Sequence, residues 1–391
     1  MSKKKHFETD AIRTQIAQTQ AKEHATPLYL TSSFTYDDAE EMRASFAGET
    51  DNNIYSRFSN PNFKELVDKL CLMENAEAGY VFATGMAAVF STFAALTNTG
   101  DHIISCRSVF GSTHSVLTKV LPKWNIQTTY VDVADSSGWE KAIQPNSKLF
   151  YLETPTNPGV DLVDLKAAVD FCKKHHLILI VDNCFATPYL QKPIDFGADL
   201  VIHSATKFID GQGRVMGGAT VGRKDLIEEI FAFSRATGPA ISPFNAWVLS
   251  KSLETLAVRM DRHCDNALKL AEFLSAHEAV NWVKYPFLKS HPQYEIAKAQ
   301  MKAGGGIVAF GIKGGLEKGR AFLDHLKMCS LTANLGDSRT IATHPSSTTH
   351  AKLSEEERQK VGITPELIRI SVGLEHIDDI ISDIQQALEQ A

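Results

Sequence analysis

Strand-like runs alternate with helical segments from about residue 60 to residue 225, and this alternation restricts the fold more than any other feature. The runs are GYVFAT, HIISC, TTYVDV, KLFYLETP, LILIVDNCF, DLVIHSAT and GGATVG. Repeated strand-helix units form a largely parallel sheet that is covered by helices. One intervening segment has apolar residues at helical spacing, at Leu165, Ala168, Val169 and Cys172. The sequence therefore predicts an α/β fold with a mostly parallel sheet sandwiched by helices.

The pattern changes after about residue 250, where a long helical stretch is followed by a glycine-rich strand, GGGIVAFGI. A chain of 391 residues is too long for one hydrophobic core. The last predicted helix has one apolar face, which indicates a packed element, at Ile377, Ile380, Ile381, Ile384 and Leu388. We predict an N-terminal arm over residues 1–60, a large domain over 61–250 and a smaller C-terminal domain over 251–391.

Charge and composition exclude several classes of protein. The net charge of −6 does not suit a general nucleic-acid binder, which needs a basic face. No run approaches the roughly 18 to 20 apolar residues that span a bilayer. Six cysteines are scattered without a CxxC pair, so we predict neither a metal site nor a disulfide framework. The N-terminal segment lacks the apolar core of a secretory signal, and we expect a cytoplasmic protein without nucleic-acid or membrane partners.

Two neighbouring predicted strands each end close to an ionisable residue that could take part in catalysis. Asp182 ends the buried run LILIVD, and Lys207 follows the next strand, DLVIHSAT. Taken alone, Asp182 is more often a helix cap or half of a buried ion pair. However, the carboxyl ends of parallel strands gather ligands at one edge of a sheet. An acid and an amine are therefore expected in one cleft.

A lysine at this position needs a special environment to act as a nucleophile. Its amine titrates near ~10.4, and lowering the pKa by three units costs about 4 kcal/mol. Burial behind the strand, or Schiff-base formation with an aldehyde, would supply that environment. SATK by itself favours an ordinary solvated lysine, because such short patterns often arise by chance.

A possible phosphate cradle lies between a strand and a helix in VFATGMAAVF. The backbone amides of Gly85 and Met86 would point at an anion, and the hydroxyls of Ser204 and Thr206 could donate from the other side. A tight strand-to-helix turn explains the glycine equally well. Together, however, lysine, acid and cradle match the three needs of pyridoxal phosphate (PLP). The glycines of GQGRVMGG do not match the dinucleotide pattern GxGxxG and precede a strand instead of a helix.

With these residues assembled, the chain resembles the Cys/Met metabolism family of PLP-dependent enzymes. This family includes cystathionine synthases and lyases, methionine lyases and homoserine sulfhydrylases. The resemblance covers nearly the whole chain and is carried by IYSRFSNPN, TGMAAV, ETPTNP, VDNCFATP, HSATKFIDGQGRVMGG, RMDRHCDNA and LIRISVGLE. It implies the PLP-dependent transferase fold type I, with a smaller C-terminal α+β domain, and PLP as cofactor.

The resemblance also implies roles for individual residues. Lys207 would form the Schiff base with PLP, and Asp182 would hold the pyridine nitrogen protonated. Phe110 would stack on the ring, and Asn157 would lie near the phenolic oxygen. The phosphate would be bound by Gly85, Met86, Ser204 and Thr206.

Further roles concern the substrate and a neighbouring subunit. Tyr55 and Arg57 of the YSR motif would reach the phosphate of a neighbouring subunit's PLP, and Tyr55 would also line the substrate site. This implies at least a dimer with shared active sites, and members of the family are typically homotetramers. Arg369 would clamp the substrate α-carboxylate, because a planar guanidinium binds a carboxylate in a bidentate manner. Thr340 occupies a substrate-contact position where members of the family often have serine.

Departures from the family pattern narrow the expected activity. Methionine γ-lyases often have cysteine where this chain has Ser112, and cystathionine synthases and γ-lyases usually have glutamate where it has Arg339. A basic residue there resembles the sulfhydrylases. We therefore expect a γ-replacement in which sulfide displaces succinate from O-succinylhomoserine to give homocysteine. The alternatives are use of the O-acetyl substrate, cystathionine synthesis, a cystathionine or methionine lyase, and a binding protein without catalysis.

Overall fold

The computed structural model of the protein describes residues 5–132, 135–349, 351, 354–360 and 362–391. Across these ranges, no helix has both the length and the apolar character needed to cross a membrane. The helices are α1 Phe7–Arg13, α2 Ala39–Phe46, α3 Pro61–Glu74, α4 Gly85–Leu96, α5 Gly111–Ser115, α6 Leu165–His175, α7 Thr187–Leu190, α8 Pro193–Phe196, α9 Lys224–Thr237, α10 Pro243–Leu253, α11 Leu256–Ala276, α12 Tyr294–Gln300, α13 Gly315–His325, α14 Glu355–Lys360 and α15 Ile377–Gln390. The strands are β1 Ala78–Phe82, β2 His102–Cys106, β3 Gln127–Val131, β4 Ser147–Glu153, β5 Ile178–Asp182, β6 Leu200–His203, β7 Gly218–Gly222, β8 Val280–Lys284, β9 Ile307–Ile312, β10 Ser330–Leu331, β11 Ile341–Thr343 and β12 Leu367–Ser371.

The first seven strands form one sheet in the order β1-β7-β6-β5-β4-β2-β3. Five consecutive strands of this order run parallel to one another, namely β6, β5, β4, β2 and β3. Strand β7 is antiparallel to both of its neighbours, β1 and β6. Every residue of β2, β6 and β7 is buried, as expected for strands that are covered on both faces. The mostly parallel α/β sheet predicted from the alternation is confirmed.

Helix α6 shows how the local sequence forms these elements. Asp164 caps its N-terminus by accepting a hydrogen bond from the Ala167 amide. The predicted apolar stripe is buried between the helix and the sheet, at Leu165, Ala168, Val169 and Cys172. The helix ends at His175, and the C-cap residue His176 adopts the left-handed conformation with φ 55°. Its neighbours β4 and β5 are thereby joined as parallel strands.

The remaining strands form a second sheet in the order β10-β11-β12-β9-β8. Helices α11, α13 and α15 pack around a core that includes Phe310 and Phe322. The apolar face expected for the last helix is present in α15, with Ile380, Ile384 and Leu388 buried. In the first 60 residues, the described part of the chain has only the short helices α1 and α2, joined by extended and irregular segments. The domain boundaries themselves stay a prediction.

Candidate active site

A cavity of about 230 Å³ lies where residues from both sheets meet. The seven-stranded sheet contributes residues that follow β4, β5 and β6, and the five-stranded sheet contributes Arg369 of β12. The expected site residues in its lining are Gly85, Met86, Phe110, Asn157, Asp182, Ser204, Thr206, Lys207 and Arg369. The structure therefore brings nine of the predicted residues into one cavity.

Asp182 and Lys207 face this cavity from adjacent parallel strands. Asp182 is the last residue of β5 and is paired in register with Ile202 of β6. Lys207 lies in the turn that follows β6, where its amide N–H donates to the Ser204 carbonyl at 3.1 Å. The acid and the amine are therefore held by rigid neighbouring elements, as the sequence predicts.

The Asp182 carboxylate is buried and hydrogen-bonded on both oxygens. The Cys184 amide donates to Oδ1 at 3.0 Å, and the Tyr151 hydroxyl donates to Oδ2 at 3.2 Å. Burial raises the pKa of Asp182, while the Cys184 amide and the nearby His203 oppose that rise. A cationic or protonated ring nitrogen would be a favourable partner for such a carboxylate.

Glu153 is a second buried acid beside Asp182 that the sequence reasoning missed. It ends β4 and is paired in register with Asp182. Burial raises the pKa of Glu153 well above its usual range, and the charge of Asp182 adds to the rise. Its carboxylate accepts a hydrogen bond from the Phe110 amide at 2.9 Å, so it helps to place the aromatic ring. The strand-end argument that identified Asp182 would also have identified Glu153.

The Lys207 amine lies in a half-buried position and contacts Asn334. Its Nζ donates to Asn334 Oδ1 at 2.5 Å. Burial lowers the pKa of Lys207; the neighbouring Cys184 opposes this, and the positive charge of Arg369 adds to it. The neutral amine is therefore more populated than in a solvated lysine. The sequence reasoning did not identify Asn334, which belongs to no regular element.

Arg369 enters the cavity from the opposite side on β12. Its Nη1 donates to Asn157 Oδ1 at 2.8 Å, and its Nη2 donates to the Asn334 carbonyl at 3.2 Å. The Nε atom is buried and has no hydrogen-bond partner among the described residues. Burial lowers the pKa of Arg369 to about 10, and the charge of Glu153 opposes that shift. A buried cation with an unused donor is ready to bind an anionic ligand.

The predicted anion cradle lies at the start of helix α4. Thr84 caps the helix through the Ala87 amide, and Gly85 is its first residue. A Cβ atom built on Gly85 would lie 2.6 Å from the Ser204 side chain, so only glycine allows this close approach. The Thr206 hydroxyl accepts from the Gly217 amide at 3.1 Å, which fixes it beside the cradle. The helix N-terminus, two hydroxyls and a bare backbone fit a phosphate group.

Three predicted residues lie outside the cavity lining. Tyr55 is 43% exposed, and the Arg57 guanidinium donates to the Arg235 carbonyl and covers the Phe58 ring at 4.4 Å. Neither side chain lines the cavity of its own chain. Their expected role in a neighbouring subunit stays a prediction.

Thr340 also lies outside the cavity lining. It is fully buried, and its hydroxyl donates to Glu375 at 2.9 Å and accepts from the Gly373 amide at 2.9 Å. The hydroxyl thus makes two hydrogen bonds within the protein, and its expected contact with a substrate stays a prediction. Thr340 connects the segment before β11 to the loop after β12.

The cavity meets the requirements of PLP in three respects. Gly85 and Ser204 form a cradle for a phosphate, Asp182 supplies a buried acid for a ring nitrogen, and Lys207 supplies an amine for an aldehyde. Phe110, which is 45% exposed at the rim, is available to cover the ring. The residues present therefore fit the cofactor.

Comparison with known proteins places this geometry in a family. The sequence pattern of the family described as Cys/Met metabolism PLP-dependent enzyme matches residues 8–389. An O-succinylhomoserine sulfhydrylase from Pseudomonas aeruginosa is 44% identical over 382 residues, which cover 98% of this chain and 95% of that protein. An L-methionine gamma-lyase from Porphyromonas gingivalis is 43% identical and covers 93% of this chain and 92% of its own length.

A solved structure gives the same result for the fold and the cofactor. The crystal structure of a putative O-acetylhomoserine (thiol)-lyase from Campylobacter jejuni superimposes with a TM-score of 0.94 at 34% identity. It covers 98% of this chain and 99% of its own chain, and it contains a pyridoxyl-lysine group. The expected fold type I, the PLP cofactor and the enzymatic nature of the chain are confirmed. This protein belongs to the Cys/Met metabolism family of PLP-dependent enzymes.

Proposed function

We propose that the protein is an O-succinylhomoserine sulfhydrylase, which replaces the succinyloxy group of O-succinylhomoserine with sulfide to give homocysteine and succinate. The observation that carries the proposal is the single cavity that holds the Lys207 amine, the Asp182 carboxylate and the buried Arg369 guanidinium with its unused Nε donor. A γ-replacement needs a group that binds the α-carboxylate of the amino acid, a base that carries protons and an acid at the cofactor ring. Arg369, Lys207 and Asp182 could supply these three functions within the cavity.

Lys207 would move the protons of this reaction. PLP, when bound, supplies an electron sink for the carbanion that forms at the α carbon. The neutral Lys207 amine removes the α-proton, holds it as an ammonium ion and releases it again, and it then assists removal of a β-proton. Burial lowers the pKa of this amine, which favours the neutral form required of a general base.

Asp182 would hold a proton on the ring nitrogen of the cofactor. The two hydrogen bonds from the Cys184 amide and the Tyr151 hydroxyl fix the plane of the carboxylate. Beside it, burial and the charge of Asp182 raise the pKa of Glu153 well above its usual range, so two ionised carboxylates side by side are disfavoured. We assign the protonated nitrogen to Asp182, because its carboxylate accepts both of these fixed hydrogen bonds.

Arg369 would orient the substrate by its α-carboxylate. Asn157 and the Asn334 carbonyl hold two of its nitrogens, which leaves the buried Nε to the ligand. This fixes the α carbon relative to Lys207, because both side chains contact the same residue, Asn334. Exclusion of water from the buried site strengthens the charge interaction.

The preference for a succinyl group over an acetyl group is supported by Arg339 and by the relatives. Arg339 is exposed and paired with Asp337 at 2.8 Å, beside a second cavity of about 250 Å³ that Asn334 also lines. A basic side chain at this position suits an acyl group that ends in a carboxylate. The sulfhydrylase from Pseudomonas aeruginosa is named for the same substrate.

We also propose a homotetramer built from dimers with shared active sites. Tyr55 and Arg57 do not line the cavity of their own chain, which leaves them available to a neighbouring one. A cytoplasmic location is part of the proposal, because all six cysteines are free thiols.

A steady-state comparison of O-succinylhomoserine and O-acetylhomoserine, each with sulfide and with cysteine, tests the proposed activity. We expect the highest kcat/KM for O-succinylhomoserine with sulfide, with homocysteine as product. Faster formation of cystathionine from cysteine would contradict the proposal. Release of a keto acid from cystathionine or methionine without an added nucleophile, at a higher kcat/KM, would instead identify a lyase.

A further inference from the structure

Asn334 is the residue that joins the proposed base to the proposed substrate clamp. It lies in the segment between β10 and β11, in a half-buried position. Its side-chain oxygen accepts a hydrogen bond from Lys207 Nζ at 2.5 Å, and its main-chain carbonyl accepts one from Arg369 Nη2 at 3.2 Å. One residue thus contacts both groups through different atoms.

The segment that carries Asn334 is packed directly against the turn that carries Lys207. Gly336 has φ +72°, and a Cβ atom there would lie 2.6 Å from the Phe208 amide nitrogen and 3.0 Å from the Lys207 carbonyl carbon. The Gly336 amide also donates to the Ser371 hydroxyl at 2.8 Å. The position of Asn334 relative to Lys207 is therefore fixed by backbone packing as well as by the side-chain contact.

The chemistry of an amide oxygen suits this position. It accepts a hydrogen bond from either a neutral amine or an ammonium ion, but it does not take the proton at neutral pH. A carboxylate in the same place would form a salt bridge and would hold the lysine in its charged form. An amide therefore orients the Lys207 amine without competing for the proton that the amine must carry.

We propose that Asn334 is a positioning residue, whose amide oxygen directs the free Lys207 amine during proton transfer while its main-chain carbonyl holds Arg369. The inference rests on the roles of Lys207 and Arg369 in the proposed function. It adds a physical link between Lys207 and Arg369. Arg369 positions the α carbon of the substrate, Lys207 removes the proton from that carbon, and Asn334 contacts both side chains.

The two contacts can be separated by substitution. Asn334→Ala removes the side-chain oxygen but keeps the main-chain carbonyl. We expect kcat to fall by about tenfold or more, because the lysine loses its orientation, while KM for the acylated homoserine stays within about twofold. A rise in KM with unchanged kcat would contradict the proposal, since it would assign the side chain to substrate binding.

A second measurement needs no turnover. The apoprotein is mixed with PLP at a series of pH values, and the rate at which the visible absorbance band forms reports the fraction of neutral Lys207 amine. The titratable groups that face this amine are Arg369 and Cys184, and Asp182 and Glu153 lie in the same cavity. These four groups are unchanged in the variants, so a shift in the rate profile reports on position 334.

The direction of the shift follows from the hydrogen bond. An acceptor stabilises the ammonium form, so Asn334→Ala is expected to lower the apparent pKa of Lys207 by about one unit. Asn334→Asp, which has nearly the same shape, is expected to raise it. Asn334→Asp also serves if the alanine variant does not fold. The proposal is overturned if neither variant shifts the profile.

Leu331→Ala is the matched control. Leu331 is 54% exposed in β10, three residues before Asn334. Its substitution is expected to change neither kcat nor the pH profile of the rate at which the apoprotein binds PLP. A shift in this control as large as that in Asn334→Ala would assign the effect to the whole segment and would contradict a specific role for the side chain. The pH profile of PLP binding does not depend on which substrate the enzyme uses. It therefore distinguishes failure of this inference from failure of the proposed activity.

Discussion

The two sides of the cavity differ in how the protein constructs them. On one side, Asp182 and Glu153 are the last residues of parallel strands in a buried sheet, and their positions follow from strand register. On the other side, Asn334 lies in an irregular segment, and Arg369 is in a strand whose neighbour β11 has only three residues. The acidic side is fixed by strand register, whereas the other side combines one strand residue with an irregular segment that is held by close backbone packing and individual hydrogen bonds. We therefore expect substitutions on the two sides to fail in different ways.

The largest effect is expected where the two sides meet, at Lys207. Lys207→Ala removes both the amine that forms the Schiff base and the proposed proton carrier. We expect kcat to fall by at least about a thousandfold and the absorbance band of the bound cofactor to disappear. Lys224→Ala, in an exposed position on α9, is the control and should keep both. Persistence of the band in Lys207→Ala would exclude the proposed role.

The next largest effect is expected on the acidic side, with Asp182→Asn. The amide has the same shape and can still accept from the Cys184 amide, but it cannot hold a proton on the ring nitrogen by charge. We expect kcat to fall by roughly a hundredfold or more with little change in melting temperature. Asp225→Asn, at an exposed surface pair with Arg223, is the matched control. Near-normal kcat in Asp182→Asn would remove the acid from the mechanism.

On the opposite side, Arg369→Lys should affect binding more than turnover. Lysine keeps the charge but cannot reproduce the planar contacts with Asn157 and the Asn334 carbonyl. We expect KM for the amino-acid substrate to rise by about tenfold, with a smaller change in kcat. Steady-state kinetics measure both, with Arg223→Lys as the control. A fall in kcat at unchanged KM would contradict the assignment of Arg369 to the carboxylate.

The contrast between the two sides also explains what could be predicted from the sequence. Asp182 and Lys207 were identified because strand alternation places the ends of neighbouring parallel strands together. The burial of Val169 and Cys172 in α6 and of Ile384 in α15 follows from helical periodicity alone. The fold class was therefore predictable from the alternation of strand-like runs with helical segments and from helical periodicity.

The opposite side of the cavity has no such pattern. Asn334 was not identified, because β10 and β11 contain two and three residues and show no periodicity. Arg369 was assigned only from the resemblance, and its contact with Asn157 joins residues 212 positions apart. The hydrogen bonds that the Thr340 hydroxyl makes with Glu375 and with the Gly373 amide likewise depend on tertiary packing.

The smallest effect concerns the stability of the acidic side. Burial raises the pKa of Glu153, so its contribution to stability is fully present below the unfolded-state pKa of about 4.3 and is lost as pH rises through the folded value. Glu153→Gln removes this dependence while keeping an acceptor for the Phe110 amide.

We therefore expect the melting temperature of the Glu153→Gln apoprotein, relative to the unsubstituted apoprotein, to rise as the pH increases from 5 to 8. Glu229→Gln, on the solvated surface of α9, should show no such trend. A relative melting temperature that falls with increasing pH would mean that the Glu153 carboxylate is stabilised as an anion.

The central claim is that Lys207 carries the cofactor at the junction of the two sheets. Reduction of the PLP-bound enzyme with borohydride, followed by proteolysis and mass spectrometry of the peptides, tests it most directly. The account predicts a single phosphopyridoxyl group on Lys207, in the segment HSATKFIDGQGR. A label on any other lysine, with Lys207 unmodified, would contradict it.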